Sequence, residues 1–470
     1  MSKFKPINGI LSDLEKILDK THILLDREQK ESYSHDYTED LYFMPEAVVL
    51  PGTVEEVAEI VKLCQANQVA LTPRGAGTGL SGGALPVEGG IVLSMERFNQ
   101  ILDIDERNFQ ATVQPGVINE VFQNAVAEKG LFYPPDPASK GSCFLGGNIA
   151  HNSGGPRALK YGVTRDYVLN LQIVTPEGDI LWTGANTLKN STGYNLTQLM
   201  LGSEGTLGII TAIVFKLIPK PKNTLLLLAE FQNAEKACEA VAAVFREGLN
   251  PSALEFMERS GVEISVKQLQ THFPFKEGVE AYLLIEVDGN QMERLYDECE
   301  LINVVLEKFD VKDVLFAESA DEKEHLWKIR RAIGETVKAI SVYKEEDTVV
   351  PRAELPKLLR AVKAIGSQYG FESVCYGHAG DGNLHVNILK GSMSEEDWKM
   401  NLEPAIREIF EHCKELGGTI SGEHGIGFVQ KNFMDIPFPA IQLHLMKKIK
   451  AVFDPAGILN PGKIFPDSLQ

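Results

Sequence analysis

Two short segments hold the residues best suited to chemistry. The first is Gly377-His378-Ala379-Gly380-Asp381-Gly382-Asn383-Leu384-His385-Val386-Asn387; the second is Ser421-Gly422-Glu423-His424-Gly425-Ile426-Gly427. Imidazole nitrogens and a carboxylate oxygen are ligands for a divalent metal, and a catalytic centre keeps one coordination position open for substrate. His378, His385 and Glu423 form such a set, with His424 and Asn387 beside it. Asp381-Gly382-Asn383 is a turn signal, so the two histidines are expected on either side of a tight bend. His385 and Asn387 are two apart on the apolar strand that follows and face one side. Two histidines and one carboxylate suit zinc, and manganese or iron fit the same donors. Isolated histidines such as His35, His272 and His325 read instead as ordinary hydrogen-bonded residues.

A second set of segments is rich in glycine. Pro73-Arg74-Gly75-Ala76-Gly77-Thr78-Gly79-Leu80-Ser81-Gly82-Gly83 packs five glycines into eleven residues. Glycine lets backbone N–H groups approach an anion and adopt positive φ, which is how a diphosphate is cradled. This is not a dinucleotide fingerprint, because residue 80 is leucine and no capped helix follows; it is not a P-loop, because no Gly-Lys-Ser/Thr occurs. Gly141 to Gly155 and Gly202 to Thr211 are two further loops of this kind. Three such loops in one αβ portion point to a long, folded-over cofactor with a diphosphate.

The elements that must position these groups are legible in outline. Ala47–Leu50, Val69–Pro73, Ile91–Ser94 and Ala111–Val113 read as strands, and Thr53-Val54-Glu55-Glu56 as a capping box opening a helix. A second αβ portion runs from about 116 to 219. Pro219-Lys220-Pro221-Lys222 breaks both helix and strand and marks a domain boundary. Beyond it, strands at Leu225–Phe231, Ala253–Met257 and Ala281–Val287 and helices at 234–247, 291–309, 321–340 and 354–370 describe an α+β domain on an antiparallel sheet. Ile10, Leu11, Leu14, Ile17 and Leu18 predict an amphipathic N-terminal helix.

Composition excludes several classes. The 470 residues carry a net charge of −19, which disfavours nucleic acid or an anionic membrane surface as a main partner. No apolar run approaches the ~20 residues that span a bilayer. Six scattered cysteines without a CxxC predict a reduced, cytoplasmic protein with no iron–sulfur cluster of its own. Electrons leaving the chain then need another carrier.

The motifs PRGAGTGLSGG, PPDPASKGSC…GGNIAHNSGG, GSEGTLGIIT, GHAGDGNLHVN, SGEHGIG and DPAGILNPGK follow in this order, within a resemblance that runs from about residue 40 to the C-terminus. In them the chain resembles the FAD-linked oxidases and dehydrogenases of the vanillyl-alcohol-oxidase type. Within these it is similar to the branch of D-lactate dehydrogenase, the glycolate oxidase flavin subunit and D-2-hydroxyglutarate dehydrogenase. The resemblance implies an α+β architecture. A two-part, PCMH-type FAD-binding domain (1–220) precedes an α+β substrate domain with an antiparallel sheet (221–425), and a C-terminal segment (426–470) returns to the active site. It implies that the flavin diphosphate lies on Arg74, Gly75, Ala76, Gly77, Thr78 and Gly79. Pro135, Asp136, Ser142, Gly146, Asn148, Asn152 and Gly155 would line the ribityl chain and isoalloxazine, and Ile210 would touch the adenine half. Some relatives tether the flavin through a histidine in the first loop; this chain has Thr78 there, so noncovalent FAD is expected.

The implied reaction oxidises a small D-2-hydroxy acid to the 2-oxo acid. The metal orients hydroxyl and carboxylate, His424 is the general base, and the Cα hydrogen passes as hydride to flavin N5. Arg330, in Leu326-Trp327-Lys328-Ile329-Arg330, is the candidate for the substrate carboxylate, with Arg331 as a neighbour and Asn387 as a second contact. Lys463 is a weaker candidate and reads more simply as a solvated lysine. The D-2-hydroxyglutarate branch adds a threonine and a lysine for its distal carboxylate where this chain has Gly334 and Glu345, with Lys344 one residue away. D-lactate or glycolate therefore comes first. The alternatives are a D-2-hydroxyglutarate dehydrogenase, an oxygen-using oxidase, a noncatalytic flavoprotein subunit of an electron-transfer complex, and an ether-lipid synthase relative. The last is disfavoured because that branch has a histidine cluster where this chain reads Ser421-Gly422-Glu423-His424. The expected acceptor is a quinone, a cytochrome, an electron-transfer flavoprotein or an iron–sulfur subunit. A homodimer and at most peripheral attachment at the inner membrane complete the expectation.

Overall fold

In the computed structural model, which describes residues 4–469, the chain divides into two compact units. The first comprises the residues up to Gly154, then Val163–Lys220 and the chain from Glu423 onward; the second comprises Gly155–Gly162 and Pro221–Gly422.

The first unit opens with α1 (Leu11–Ile17), and Ile10, Leu14 and Leu18 at helical spacing are buried. β1 (Ala47–Val49) leads through α2 (Val54–Asn67) to β2 (Leu71–Arg74) and on to β3 (Ile91–Ser94). The Thr53 hydroxyl accepts from Glu56 N and the Glu56 carboxylate reaches back to the Thr53 N–H, so the capping box closes as expected. β1 and β2 flank β3 in parallel, and Ile23–Leu24 adds an antiparallel edge. A second sheet of β4 (Ile101–Asp105), β5 (Gln110–Val113), β6 (Val168–Val174), β7 (Ile180–Trp182) and β8 (Ile209–Lys216) is antiparallel, in the order β4-β5-β8-β6-β7. The apolar stretch 207–218 is one strand only to Lys216; Ile218–Pro219 forms a separate pair with Leu131–Phe132. Along the chain, α3 (Leu145–His151) falls between β5 and β6.

The C-terminal chain is built into the same unit. Leu71 bridges Leu459 in parallel, Asn460 N donates to Leu71 O at 2.8 Å, and Asn460 Nδ2 donates to Gly83 O and Glu204 O. A segment dense in turn formers is thus ordered by hydrogen bonds to loops far away in sequence.

The second unit is one seven-stranded antiparallel sheet. Its strands are β9 (Asn223–Phe231), β10 (Ala253–Glu258), β11 (Ala281–Gly289), β12 (Val311–Ala317), β13 (Tyr343–Val349), β14 (Glu372–Gly377) and β15 (Asn383–Leu389), in the order β12-β9-β11-β10-β14-β15-β13. The face with Leu226, Leu228, Met257, Tyr282, Leu284 and Tyr376 packs on Trp327, Ile329, Ile333 and Val337 of α4 (Ala320–Lys338). Helix 234–246 supplies Ala237, Val241 and Val244 to the core. The antiparallel α+β arrangement is the one the sequence predicts. All six cysteines are buried and free.

Candidate functional site

In the first unit β2 runs into the glycine loop. Among the described residues, the N–H groups of Ala76, Gly77, Thr78 and Gly79 have no acceptor. Gly77 has φ +73°, and a Cβ there would land on the Arg74 guanidinium. Arg74 is buried and braces the loop from beneath, donating to Ser32 O (3.1 Å) and His35 O (2.9 Å). Gly147 in α3 also has an N–H without an acceptor, and nothing lies within 4 Å of where its Cβ would be. A Cβ on Gly75 would lie 3.8 Å from Gly147 N, so the two glycine segments face each other. A row of unsatisfied N–H donors at a positive-φ glycine is an anion nest, and the open ground above Gly147 admits a planar group. The residues present therefore fit FAD.

The other predicted flavin residues fall into two groups. Asn148 is buried and donates to Asn119 Oδ1, and Gly146 lies so close to Pro115 that a Cβ would meet Pro115 Cβ at 2.5 Å. Asn152 ends α3 in the left-handed region and its Oδ1 accepts from Arg165 N; Ser142 is exposed and donates to Ser139 O. These residues shape the loops. Pro135 and Asp136 are buried, Ile210 is half-buried on β8, and Gly155 (φ +119°) belongs to the second unit.

Sequence alone did not single out His151 or Glu204 of this unit, and it read Lys463 as solvated. His151 lies against the backbone of Gly79, Gly83 and Gly425, with Nδ1 unbonded. Glu204, buried and itself at φ +50°, accepts from Ile426 N (2.8 Å) and Gly427 N (2.6 Å). It thereby fixes the loop that carries Glu423 and His424, both partly exposed. Lys463 is not solvated: it is 3% exposed and donates to Leu85 O and Asn460 Oδ1. Burial pushes its pKa down to about 7, against the opposing pull of Asp36 and Glu204.

In the second unit the bend between β14 and β15 forms as its residues require. Gly382 has φ +86°, and a Cβ there would strike Val350 O. Register then assembles one face. Tyr376 and Asp347 are the cross-strand partners of His385, and Val374 and Glu345 those of Asn387. His378 and His385 are buried, with ring centroids 5.5 Å apart. His378 Nδ1 lies 2.9 Å from both oxygens of Glu255 on β10. Arg330 on α4 is 6% exposed and pairs with the same Glu255 at 2.6 Å. Burial alone would raise the Glu255 carboxyl; its pairing with His378 and Arg330 holds it below its ordinary value. Arg331 points outward to Glu324 and Trp327, so of the two arginines only Arg330 faces this cluster.

Asn387 is fully buried, and neither amide atom closes a hydrogen bond. Arg330 Nε is likewise unbonded. Arg330 lies over the Tyr376 ring at 5.0 Å, and Tyr376 Oη donates to Glu345 at 2.8 Å. Burial, then the Glu345 charge, raises the Tyr376 phenol well above its ordinary pKa, so it stays a donor. Where a threonine would be needed for a distal carboxylate, Gly334 places its virtual Cβ 2.7 Å from Tyr376 Oη. Asp347 accepts from Asn383 Nδ2, Ser421 Oγ and Gly422 N at 2.7, 2.9 and 2.8 Å. Gly422 is the last residue of this unit; Glu423 and His424 follow in the first. Two buried histidines, one with its second nitrogen already oriented by a carboxylate, fit a divalent metal.

The family described as FAD linked oxidases, C-terminal domain, matches residues 220–464, and the FAD binding domain family matches residues 45–184. The chain belongs to the FAD-linked oxidases and is an oxidoreductase. It is similar to the glycolate oxidase subunit GlcD of Bacillus subtilis (strain 168), with 42% identity over 437 residues covering 92% of each chain. The D-lactate dehydrogenase of Anaerostipes hadrus is 41% identical over 450 residues, 94% of each chain. The D-2-hydroxyglutarate dehydrogenase of Stutzerimonas stutzeri (strain A1501) is 35% identical over 460 residues, 97% of this chain and 99% of that one. The fold is shared with p-cresol methylhydroxylase (TM-score 0.83, 18% identity, 100% and 99% covered) and alkyldihydroxyacetonephosphate synthase (0.75, 20%, 98% and 86%). Among the described residues, no helix is long and apolar enough to cross a membrane.

Proposed function

We propose that the chain oxidises a short D-2-hydroxy acid, D-lactate or glycolate, to the 2-oxo acid. The observation that carries this is the buried face of the second unit. Arg330 Nε and the Asn387 amide stand there without partners, beside His378 and His385. Unpaired buried donors are costly unless a ligand satisfies them, and a guanidinium with a carboxamide suits a carboxylate next to a hydroxyl. The names of the similar proteins point the same way.

FAD, when bound, takes up the hydride and its electron pair. It would be held noncovalently, by the backbone of Arg74 to Gly79 and the loops around Asn148 and Gly202. A divalent metal, zinc or else manganese or iron, supplies Lewis acidity at the substrate hydroxyl when bound. His378, His385 and Glu423 would hold it. Arg330 binds the substrate carboxylate, Asn387 hydrogen-bonds the same end, and His424 takes the hydroxyl proton. Electrons then pass to a carrier outside the chain: a quinone, a cytochrome, an electron-transfer flavoprotein or an iron–sulfur subunit. Tyr376, close against Gly334 and bonded to Glu345, supports ranking the monocarboxylates ahead of D-2-hydroxyglutarate.

Anaerobic reduction of the flavin, followed by its absorbance, tests the reading. Bleaching by D-lactate or glycolate, lost on chelation and restored by metal, is expected. No bleaching by either acid, in protein containing both FAD and metal, would overturn it.

A further inference from the structure

Glu255 has no place in the reaction just described, yet it is the residue on which two of its parts meet. It lies on β10 with Leu254 and Phe256 on either side, and is 0% exposed. A carboxylate at such a position is expensive unless fully paired. Here it is paired twice: with His378 Nδ1 at 2.9 Å through both oxygens, and with Arg330 at 2.6 Å. His378 is 123 residues away along the chain and reaches Glu255 only through strand pairing, since Phe256 lies opposite Gly377.

We propose that Glu255 is a positioning residue that orients the metal-binding nitrogen of His378 and the substrate-binding guanidinium of Arg330 from a single carboxylate. The inference rests on the metal and substrate roles proposed above. Its physical content is separate from them. An anionic acceptor on Nδ1 keeps the proton there, so the lone pair of His378 stays on Nε2; it also makes that nitrogen more basic. The same anion holds one edge of the guanidinium and leaves Nε unbonded. Loss of Glu255 frees the imidazole to flip or change tautomer and strands a buried cation.

The test uses full-length, FAD-loaded protein stripped of metal by chelation and titrated with Zn²⁺ against a chromophoric chelator. Glu255→Met, which has no oxygen acceptor, is expected to weaken zinc binding about 10- to 100-fold. Glu255→Gln, which keeps one acceptor, is expected to lose less. For D-lactate, KM rises by more than kcat falls in both variants. Because Arg330 without its counter-charge endangers the fold, Glu255→Met/Arg330→Met removes both charges; its zinc affinity is expected to match Glu255→Met alone. A purely structural Glu255 would lower the melting temperature of the metal-free variants and leave the zinc constant of the folded protein unchanged, which overturns the proposal. So does recovery of zinc affinity in the double variant, because the loss would then come from the stray cation. Wild-type protein that binds no zinc at all would sink the metal reading itself, an outcome distinct from either.

Discussion

Asn387 is buried at the middle of β15 with both ends of its amide unbonded, an arrangement that costs about 1–3 kcal/mol if no ligand or water relieves it. A residue kept at that cost is a trade of stability for binding. Replacing it with leucine, of similar volume and nothing to satisfy, separates the two effects. Asn387→Leu is expected to raise the melting temperature of the substrate-free protein, by about 1 kcal/mol in stability, and to lower kcat/KM for the 2-hydroxy acid. Thermal melts beside steady-state kinetics decide it; a destabilised variant with unchanged kcat/KM would contradict the role. Glu345 and Tyr376 are the opposite case at the same scale. The Tyr376 hydroxyl donates to Glu345 at 2.8 Å, so that phenol is partnered without a ligand.

At the scale of elements, what could be read from the sequence depended on how local the determining forces are. The capping box at Thr53, the bend at Asp381-Gly382-Asn383 and the strands expected at Leu225–Phe231, Ala253–Met257 and Ala281–Val287 follow from neighbouring residues, and all are present. His378 and His385 were legible as a pair because a turn and a strand fix their spacing. Glu255, Asp347 and Glu204 were not, because each acts through register or a loop contact across a long stretch of chain. Glu204 to Gly427 spans 223 residues. The one signal for Glu255 was a carboxylate inside an otherwise apolar strand, Ala253-Leu254-Glu255-Phe256-Met257. Lys463 read as a solvated charge because composition says nothing of which long side chains the fold will enclose.

The Glu204 contact yields an element-scale prediction. Two backbone N–H groups of the loop after His424 are held by one carboxylate, and hydrogen bonds to a charged group are worth about 1.5–3 kcal/mol each. Glu204→Gln turns one acceptor into a donor facing an N–H, so that end of the loop must move. A base displaced by about 1 Å can cost up to about a hundredfold in rate. The rate constant for flavin reduction in a stopped flow is therefore expected to fall by tens-fold while bound FAD, measured by absorbance, stays at the wild-type level. Equal losses of flavin and rate would mean that Glu204 merely supports the cofactor loops.

At the scale of the whole molecule, sequence distance and structural distance part company. Residues 423–469 are the far end of the chain, yet they belong to the first unit and hydrogen-bond to the strand and loops that lead into the flavin segment. Leu71 N donates to Ile458 O, Asn460 Nδ2 to Gly83 O and Lys463 to Leu85 O. A ligand that binds only the native form stabilises by about 2.7 kcal/mol at a hundredfold excess over its Kd, and it does so most in the cooperative segment it touches. FAD should therefore protect two stretches of chain more than 370 residues apart, Gly75–Leu85 and Ile458–Lys463. It should leave the central strand Ala281–Gly289 of the second unit unchanged. Hydrogen exchange of holo and FAD-stripped protein reads this directly. Loss of protection at Ile458–Lys463 together with the glycine loop, against a constant Ala281–Gly289, is the expected pattern. Loss spread evenly over both units would mean that they unfold as one cooperative body, and that the flavin's stabilising effect is not confined to the unit holding its glycine loops.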